Sequence, residues 1–484
     1  MNYKMMGRFV GRILILEAVF MVPALLISLW ERENAAVKAF LWSIALTFAL
    51  AWLLIGICRK SKNKFYEKEG LACVGISWLI MSLLGCLPFW LSGEIPHFVD
   101  AFFEIVSGFT TTGASILPEV ESLSKGILYW RSFSHWLGGM GVLVFLLAIS
   151  TVSGSDNGYT MHLLRAESPG PNVGKLVPRM KKTASILYLL YILLTVANVI
   201  FLLFGKMTLF EAVCTAFGTA GTGGFGIKND SIAGYSPYIQ NVCTVFMLLF
   251  GVNFSCYYLL LLGQVKNVLK DEELRMYLGI TAGSILLIVW NLKGVYQTLG
   301  ETVRHAAFQV SSILTTTGFA TTDFDLWPGF SKAILLLLMI VGASAGSTGG
   351  GFKCSRVLLV LKSLFRSVRR VVYPQKVQVV RVNGHPVSEK VLQNTNAYLA
   401  AYVIITFVSF LLISVDGFSI TTNFSAVLAC FNNIGPGFEM VGPTCNFAGY
   451  SVFSKLVLIL DMLAGRLEIF PILILFSRDT WKHR

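Results

Sequence analysis

Long apolar runs alternate with short polar segments along the whole chain. A run of about 20 apolar residues is long enough to cross the hydrocarbon core of a bilayer as a helix. The pattern predicts an all-α polytopic membrane protein. The runs that fit a membrane span lie at about 8–30, 37–58, 71–92, 130–152, 184–204, 238–262, 276–292, 330–361, 396–414 and 452–476. A glycine-rich stretch interrupts the run at 330–361.

Shorter apolar stretches lie between the members of successive pairs of runs. They are too short to span a bilayer and are typical of re-entrant helices, which enter and leave on the same side. These stretches cover 98–109, 208–219, 301–314 and 421–431. Each continues into a bend rich in Thr, Gly or Asn, at 110–114, 220–224, 315–319 and 432–436.

The order of these elements predicts an internal repeat. Each unit consists of an outgoing helix, a re-entrant helix, a bend and a returning helix. Units of one orientation can surround a common axis, whereas inverted repeats point in opposite directions. The predicted units are 70–153, 183–264, 275–362 with its interrupted returning helix, and 393–477, and residues 1–60 form an additional transmembrane hairpin.

The composition of the bends points to cation chemistry. Irregular backbone survives in a bilayer only where protein shields it or where it lines a polar cavity. Backbone carbonyls can replace the water around a cation, glycine permits the necessary positive φ, and a helix C-terminus adds a negative dipole. One such bend would be typical of helix packing, but four at equivalent places predict an ion pore. The candidate ion-binding residues are Thr111, Thr112, Gly113, Gly221, Thr222, Gly223, Thr316, Thr317, Gly318, Asn433, Ile434 and Gly435.

The distribution of charge fixes the expected topology. Only 13% of the residues are charged, the mean hydropathy is +0.68 and the net charge is +13. The basic residues concentrate in alternate connections, so the positive-inside rule predicts cytoplasmic termini and bends on the outer face, with no need for a nucleic-acid partner. The inner connections, with Arg366, Arg369 and Arg370 among them, either anchor the protein at lipid headgroups or dock an acidic cytoplasmic partner.

The interrupted eighth run holds five glycines between residues 342 and 351. Each glycine costs a helix interior about 1 kcal/mol, so the break is either a packing kink or a flexible loop across the pore. It is no phosphate-binding loop, because Phe352 separates Gly351 from Lys353, and we expect no nucleotide bound by this chain. The candidate gating residues of this stretch are Gly346, Ser347, Thr348, Gly349, Gly350, Gly351 and Lys353.

Arg466 is the last candidate gating residue and lies inside the final apolar run. A buried arginine costs at least about 2.5–3.5 kcal/mol in a membrane, and neither Asp461 nor Glu468 stands at the spacing that pairs on one helix. It either pairs with another helix or forms a positive barrier in the pore. His135 and Asp461, also in apolar runs, either relay protons or hydrogen-bond neighbouring helices.

With four helix–bend–helix units and one glycine in each bend, the chain resembles the superfamily of potassium transporters that comprises TrkH, TrkG, KtrB and HKT. The resemblance covers nearly the whole chain, and the N-terminal hairpin is closest to the TrkH branch. The glycines that match the filter glycines of that superfamily are Gly113, Gly223, Gly318 and Gly435. In plant relatives a serine at the first position accompanies sodium preference, so Gly113 favours potassium. The resemblance also implies an intramembrane gating loop at 346–353 and a pore arginine at Arg466.

The resemblance further implies a setting and partners. It implies a homodimer in the bacterial inner membrane with one pore in each subunit, gated by a cytoplasmic nucleotide-binding ring of the TrkA type. Potassium would be the transported substrate, carried by a channel or by a symporter coupled to protons or sodium. A sodium-selective or non-selective transporter is the alternative. A membrane enzyme is disfavoured because His, Cys and carboxylates form no reactive cluster in the sequence.

Overall fold

The computed structural model describes residues 3–58, 67–139, 141 and 180–481, and it is mostly helical, with almost no strand. The helices are α1 Tyr3–Trp30, α2 Asn34–Ile57, α3 Glu67–Gly85, α4 Leu87–Leu91, α5 Phe98–Phe109, α6 Lys125–Gly139, α7 Met180–Phe204, α8 Leu209–Ala220, α9 Pro237–Gly251, α10 Phe254–Leu261, α11 Val265–Lys270, α12 Glu272–Asn291, α13 Leu299–Leu314, α14 Gly329–Val341, α15 Cys354–Val372, α16 Glu389–Ile413, α17 Ile420–Phe431, α18 Val452–Arg466, α19 Phe470–Phe476 and α20 Arg478–Trp481. Strands β1 Arg381–Val382 and β2 His385–Pro386 pair antiparallel, with Val382 opposite His385.

Six helical segments of the described chain are long and apolar enough to cross a membrane, and a bent pair makes up to seven. The prediction of an all-α polytopic membrane protein is confirmed. The six segments are Tyr3–Trp30, Asn34–Ile57, Lys68–Leu91, Ser185–Phe204, Glu272–Asn291 and Glu389–Asp416. They comprise the N-terminal hairpin and the outgoing helix of each predicted unit. Three returning runs, at 238–262, 330–361 and 452–476, are divided into shorter pieces.

Two of the returning runs that were predicted as membrane spans are each divided into two helices, which the sequence did not predict. In the run at 238–262, α9 and α10 meet at an angle of 86°, because the Asn253 side chain caps α10 and Gly251 ends α9. In the run at 452–476, Glu468 and Ile469 have positive φ between α18 and α19.

Of the other two returning runs, the structure describes the one at 330–361 completely and the one at 130–152 only in part. The predicted interruption of the eighth run is present, since α14 ends at Val341 and α15 begins at Cys354. The run at 130–152 is described as far as Gly139, with Gly141 beyond it, and its remainder lies outside the described residues. The basic connection at 59–64 and almost all of the connection at 154–182 also lie outside them.

The four predicted re-entrant stretches form the short helices α5, α8, α13 and α17. Three of them begin at a side-chain cap, which satisfies a free backbone N–H of the first turn. Thr208 caps α8 in a capping box with Glu211, Thr298 caps α13, and Ser419 caps α17. All four short helices end at the predicted bends, and their side chains there are buried in the interior of the bundle.

Small residues let the N-terminal hairpin pack tightly. A side chain at Gly11 in α1 would meet the Ala51 carbonyl of α2 at 2.9 Å, and one at Gly126 in α6 would meet the Ala24 carbonyl at 3.0 Å. The core behind the short helices is aromatic, with Trp78 and Trp130 almost fully buried. The hairpin therefore packs against α3 and α6, and the short helices occupy the centre of the bundle. The limits of the four sequence units stay a prediction.

Candidate functional site

Four turns with the same backbone follow the short helices. They are turn 1 (110–113), turn 2 (221–224), turn 3 (315–318) and turn 4 (432–435). The second residue of each turn has a positive φ: 55° at Thr111, 52° at Thr222, 58° at Thr316 and 55° at Asn433. The fourth is a glycine with a positive φ: 82° at Gly113, 76° at Gly224, 84° at Gly318 and 100° at Gly435.

One hydrogen bond also recurs in all four turns. The N–H of the third residue donates at 2.8 Å to the carbonyl five residues earlier, which closes the end of the helix. These bonds join Thr112 to Ser107, Gly223 to Gly218, Thr317 to Ser312, and Ile434 to Ala429. Left-handed φ is rare for threonine because it is β-branched, so three of the turns hold a strained residue at the second position.

The turns contact one another in a closed cycle. A Cβ added to the fourth-position glycine of any turn would touch the carbonyl oxygen of the third residue in the next turn. The contacts join Gly113 to Gly223, Gly224 to Thr317, Gly318 to Ile434, and Gly435 to Thr112. For Gly435 the distance is 2.9 Å, and for the other three it is shorter. The four bends that the sequence singled out therefore meet around one centre, with third-position carbonyls at each junction.

This cycle corrects the sequence alignment of turn 2. The sequence matched Gly223 with Gly113, Gly318 and Gly435, but the residue with positive φ and the matching contact is Gly224. Gly223 occupies the third position, equivalent to Thr112, and Gly221 occupies the first. The error has a simple origin, because Gly223 and Gly224 are adjacent and either one follows Thr222 within two residues.

Turns 1 and 3 support themselves with hydroxyl pairs. The Thr110 hydroxyl donates to the Val106 carbonyl at 2.6 Å and lies 2.8 Å from the Thr112 hydroxyl. Thr315 makes the same two contacts, with the Ser311 carbonyl and the Thr317 hydroxyl, at the same distances. Both pairs are fully buried, so the first and third residues of these turns are tied together without help from another helix.

Turn 2 has glycine at both of those positions and packs on α6 instead. A side chain at Gly221 would overlap the His135 carbonyl, and one at Gly223 would overlap the His135 ring. His135 is fully buried. Its Nδ1 lies 2.8 Å from the Gly108 carbonyl oxygen, and its Nε2 lies 3.2 Å from the Phe225 nitrogen. One imidazole therefore joins the helix before turn 1 to the residue after turn 2.

Turn 4 also depends on a neighbouring helix. The Asn432 amide donates at 2.9 Å to the Tyr402 hydroxyl of α16 and at 3.0 Å to the Leu428 carbonyl. The Asn433 amide donates at 3.0 Å both to the Thr112 hydroxyl and to the Met462 carbonyl. The two asparagines thus bind turn 4 to α16, to α18 and to turn 1.

A buried ion pair holds the segments that follow turns 1 and 2. Arg131 of α6 donates to Glu104 at 2.6 Å, and both side chains are at most 3% exposed. Arg131 also donates to the Gly226 carbonyl at 2.9 Å and lies over the Phe225 ring, 3.6 Å from its centroid. Glu104 accepts from the Ile116 nitrogen at 3.0 Å. Breaking a buried pair of this kind typically costs about 3–5 kcal/mol.

The glycine-rich loop at 342–353 packs against turns 3 and 4. The Gly350 nitrogen donates at 2.6 Å to the Thr316 hydroxyl. A side chain at Gly349 would meet the Thr315 carbonyl at 2.8 Å, and one at Gly350 would touch the Asn432 carbonyl. The predicted loop therefore lies directly beside the bends, at the level where the returning helices break.

Bonds to the bend between α9 and α10 hold the other side of this loop. The Ser344 nitrogen donates to the Gly251 carbonyl at 3.1 Å, and the Phe254 nitrogen donates to the Gly346 carbonyl at 3.0 Å. The Thr348 hydroxyl lies 3.3 Å from the Phe250 carbonyl oxygen. The loop thus fills the gap between two broken helices.

Arg466 bridges this loop to α6. Its guanidinium donates to the Thr348 carbonyl at 2.8 Å, to the Gly139 carbonyl at 2.7 Å, and to the Gly138 carbonyl. The sequence left open whether it pairs with another helix or faces the loop, and in the structure it contacts both. Its carboxylate neighbours in the sequence are engaged elsewhere: Glu468 pairs with Arg356, and Asp461 accepts from Ser409 at 2.7 Å.

Lys353 closes the loop at its far end. The buried ammonium donates to the Gly349 carbonyl, and the backbone of Lys353 has φ 81°. All predicted gating residues from Gly346 to Lys353 therefore belong to one folded segment that Arg466 contacts. In the described part of the chain no group of His, Cys, Asp and Glu could hold a metal ion.

Sequence reasoning missed several residues of this site. Gly224, Asn432 and the pair Arg131–Glu104 were not singled out, and His135 was noted only as an isolated polar group. A charged residue inside an apolar run was a usable signal for Arg131 and Glu104, as it was for Arg466. No local signal marks Asn432 or Gly224, because their roles depend on residues far along the chain.

Comparisons with known proteins identify the family and the fold. The TrkH family of cation transport proteins matches residues 36–482. The chain is 36% identical over 490 residues to the Trk system potassium uptake protein TrkH of Escherichia coli K12, covering all of both chains. It is 31% identical to the potassium uptake protein TrkG of the same organism, over 99% of each chain. The crystal structure of the potassium transporter TrkH from Vibrio parahaemolyticus superposes with a TM-score of 0.89 at 32% identity, over 100% of both chains.

Proposed function

Because the chain belongs to the TrkH family of cation transport proteins, we propose that it takes up potassium across the bacterial inner membrane. Potassium is its transported substrate rather than a bound cofactor. Its relatives are named as members of a potassium uptake system and not as enzymes. The apolar helices agree with a multi-pass membrane protein. Potassium entering down the membrane potential gains about 2.3 kcal/mol per 100 mV.

The four turns form the selectivity filter in this proposal. The closed cycle of glycine and carbonyl contacts is the observation that carries it. A ring of third-position carbonyls can replace the hydration shell of a potassium ion without a fixed charge that would trap it. The ion-binding residues are the twelve predicted from the sequence, with Gly224 added. The four sequence units 70–153, 183–264, 275–362 and 393–477 supply one turn each, and the hairpin at 1–60 stays outside the ring.

The loop at 342–353 and Arg466 form the gate in this proposal. Support comes from the bonds between Arg466 and the Thr348 carbonyl and from the contacts of Gly349 and Gly350 with turns 3 and 4. A guanidinium beside the ion path repels a cation strongly in a medium of low dielectric constant. Uptake therefore requires that the loop and Arg466 move apart from the path.

A cytoplasmic nucleotide-binding ring of the TrkA type supplies that movement, and the protein works as a homodimer with both termini in the cytoplasm. Arg366, Arg369 and Arg370 in α15 are basic groups available for such a partner, and Arg366 already pairs with Glu389 of α16. This chain itself would bind no nucleotide. Coupling of potassium to protons or sodium remains compatible with the same filter.

Rubidium uptake into proteoliposomes tests this function, with sodium as the competitor. We expect uptake that sodium at equal concentration does not suppress. Gly113→Ser should remove the preference, because Gly113 has φ 82° and a side chain there would overlap the Gly223 carbonyl. Gly93→Ser is the matched control, since Gly93 has φ 80° but open space around it. Equal passage of sodium and rubidium by the wild type would contradict the proposal and favour a non-selective transporter.

A further inference from the structure

His135 contacts turn 2 in a way that the filter alone does not require. We propose that His135 is a positioning residue for potassium selectivity, which fixes the direction of the Gly224 carbonyl by accepting a hydrogen bond from Phe225. This inference rests on the proposed function, because it concerns the accuracy of the same filter. Nothing in the comparisons assigns a role to this residue.

The two hydrogen bonds of His135 define its tautomer. The Gly108 carbonyl can only accept, so Nδ1 carries the proton at that contact of 2.8 Å. The Phe225 N–H can only donate, so Nε2 is the acceptor at 3.2 Å. The imidazole is therefore neutral and has a fixed orientation. A neutral ring also places no positive charge beside a path for cations.

The bond to Phe225 holds the peptide that ends turn 2, next to the Gly223 carbonyl of the filter ring, because a peptide group is planar. The Phe225 N–H and the Gly224 carbonyl belong to one trans peptide, so they point in opposite directions. Holding the N–H against the imidazole turns the Gly224 carbonyl away from α6. Turn 2 also has a glycine at its third position, where the other turns have Thr or Ile. Since glycine rotates more freely than other residues, the end of turn 2 needs an external restraint more than its counterparts do.

Contacts on both sides of this peptide strengthen the restraint. A side chain at Gly221 would overlap the His135 carbonyl, and one at Gly223 would overlap the imidazole ring. The ring also packs against the Phe225 ring at an angle of 40°, with the two centroids 4.1 Å apart. His135 therefore contacts turn 2 at its first and third residues and at the residue that follows it.

In α18, the returning helix of the fourth unit, the position equivalent to His135 carries no imidazole. Gly138 of α6 and Gly465 of α18 both pack on the carbonyl of the residue before a turn, Phe109 and Phe431 respectively. The residue three places before Gly465 is Met462, whose side chain cannot accept a hydrogen bond of comparable strength. The imidazole is therefore a specific support for turn 2 rather than a feature of every returning helix.

Three substitutions separate the two bonds of the imidazole. His135→Asn places an amide near the position of Nδ1 and retains the bond to Gly108. His135→Gln extends further, to the position of Nε2, and retains an acceptor for Phe225. His135→Leu removes both. We expect His135→Asn and His135→Leu to lose roughly tenfold in the preference for rubidium over sodium, the change that one buried hydrogen bond can produce.

For His135→Gln we expect the preference for rubidium over sodium to stay within about threefold of the wild type. This change is smaller than the loss of one hydrogen bond would cause. The same substitutions at His305 are the matched control. His305 is also buried, but it bonds to the Thr321 side chain at 2.9 Å and stacks on Tyr296 rather than holding a turn backbone. Its variants should keep the wild-type preference.

The outcomes distinguish this inference from the proposed function. A wild type without preference for rubidium contradicts the proposed function itself. A selective wild type whose His135→Asn and His135→Gln variants match each other overturns the inference and leaves the filter intact. If no variant folds, nitrogen NMR of the wild type labelled at histidine decides. An unprotonated Nε2 on a buried neutral imidazole supports the inference, and a protonated Nε2 overturns it.

Discussion

Turns 1 and 3 differ from turns 2 and 4 in the way they are held. Turns 1 and 3 carry threonines at the first and third positions, whose hydroxyls lie 2.8 Å apart. Turn 2 has glycines there and rests on the imidazole of α6, and turn 4 depends on the Tyr402 hydroxyl of α16. The backbone thus repeats four times, whereas its support alternates around the ring.

This difference shows which property the site requires. The φ values at the second and fourth positions and the 2.8 Å bond at the third recur in every turn. The side chains that support them do not. A ring of carbonyls needs a repeated backbone, and either a local hydroxyl pair or a group from another helix can stabilise it. Sequence similarity among the turns is therefore a weaker guide than their backbone geometry.

Substitution of the two adjacent glycines of turn 2 should reduce rubidium uptake more than any other change. Gly224→Ala places a side chain at φ 76° against the Thr317 carbonyl. Such strain costs about 1–3 kcal/mol before the overlap is counted, so we expect roughly a hundredfold loss of rubidium uptake. Gly223→Ala should also fail, but for a different reason, because its side chain would overlap the His135 ring.

A second substitution distinguishes these two causes. His135→Ala removes the ring that obstructs Gly223→Ala. We therefore expect the double variant to take up rubidium within about tenfold of His135→Ala alone. Such a rescue is a coupling of the size seen between residues in contact. His135→Ala should not restore uptake by Gly224→Ala, because the added side chain there meets the backbone carbonyl of Thr317 rather than the imidazole. Equal rescue of both variants would contradict the corrected alignment of turn 2.

The next largest effect concerns the loop, which contacts turns 3 and 4. Arg466→Ala should raise the rubidium leak in the absence of a regulatory partner about tenfold, because it removes a positive charge from a site of low dielectric constant. Arg466→Lys keeps the charge but cannot reproduce the guanidinium's bonds to Thr348, Gly138 and Gly139.

These two variants separate the charge of Arg466 from its bridging bonds. If charge closes the path, Arg466→Lys stays closed. If the bonds to the loop close it, Arg466→Lys leaks like Arg466→Ala. Unchanged or lower leak in Arg466→Ala, with normal expression, would contradict a gating role. Flux measured in liposomes containing only this protein gives the answer.

The smallest effects compare the two kinds of support directly. Thr317→Val removes the hydroxyl pair of turn 3, and Tyr402→Phe removes the external partner of Asn432 in turn 4. Each loses hydrogen bonds worth about 1 kcal/mol net, so each should lower the rubidium preference by about fivefold or less. A Tyr402→Phe variant with no effect, beside a clear effect of Thr317→Val, would mean that turn 4 supports itself.

The sequence predicted the main elements of this site for a physical reason. Membrane spans and short apolar helices leave a strong hydropathy signal, and glycine-rich breaks stand out within apolar runs. The helices α5, α8, α13 and α17 therefore lie close to their predicted limits. Arg466 and the loop at 342–353 were found in the same way, and the structure brings them into contact.

The features that the sequence did not predict depend on distant contacts. In turn 2, local sequence cannot decide whether Gly223 or Gly224 takes the positive φ. The deciding contact is with Thr317, almost a hundred residues away. The break between α18 and α19 rests on positive φ at Glu468 and Ile469, residue types that rarely adopt it, and Glu468 there pairs with Arg356 of α15. No propensity signals such a break.

Anomalous diffraction from crystals grown in rubidium tests the central claim most directly. The four turns are claimed to surround a dehydrated cation with their third-position carbonyls, those of Thr112, Gly223, Thr317 and Ile434. We expect an anomalous peak on the axis between these oxygens that weakens when sodium replaces rubidium. A centre without a peak, with rubidium bound only elsewhere in the protein, would contradict it.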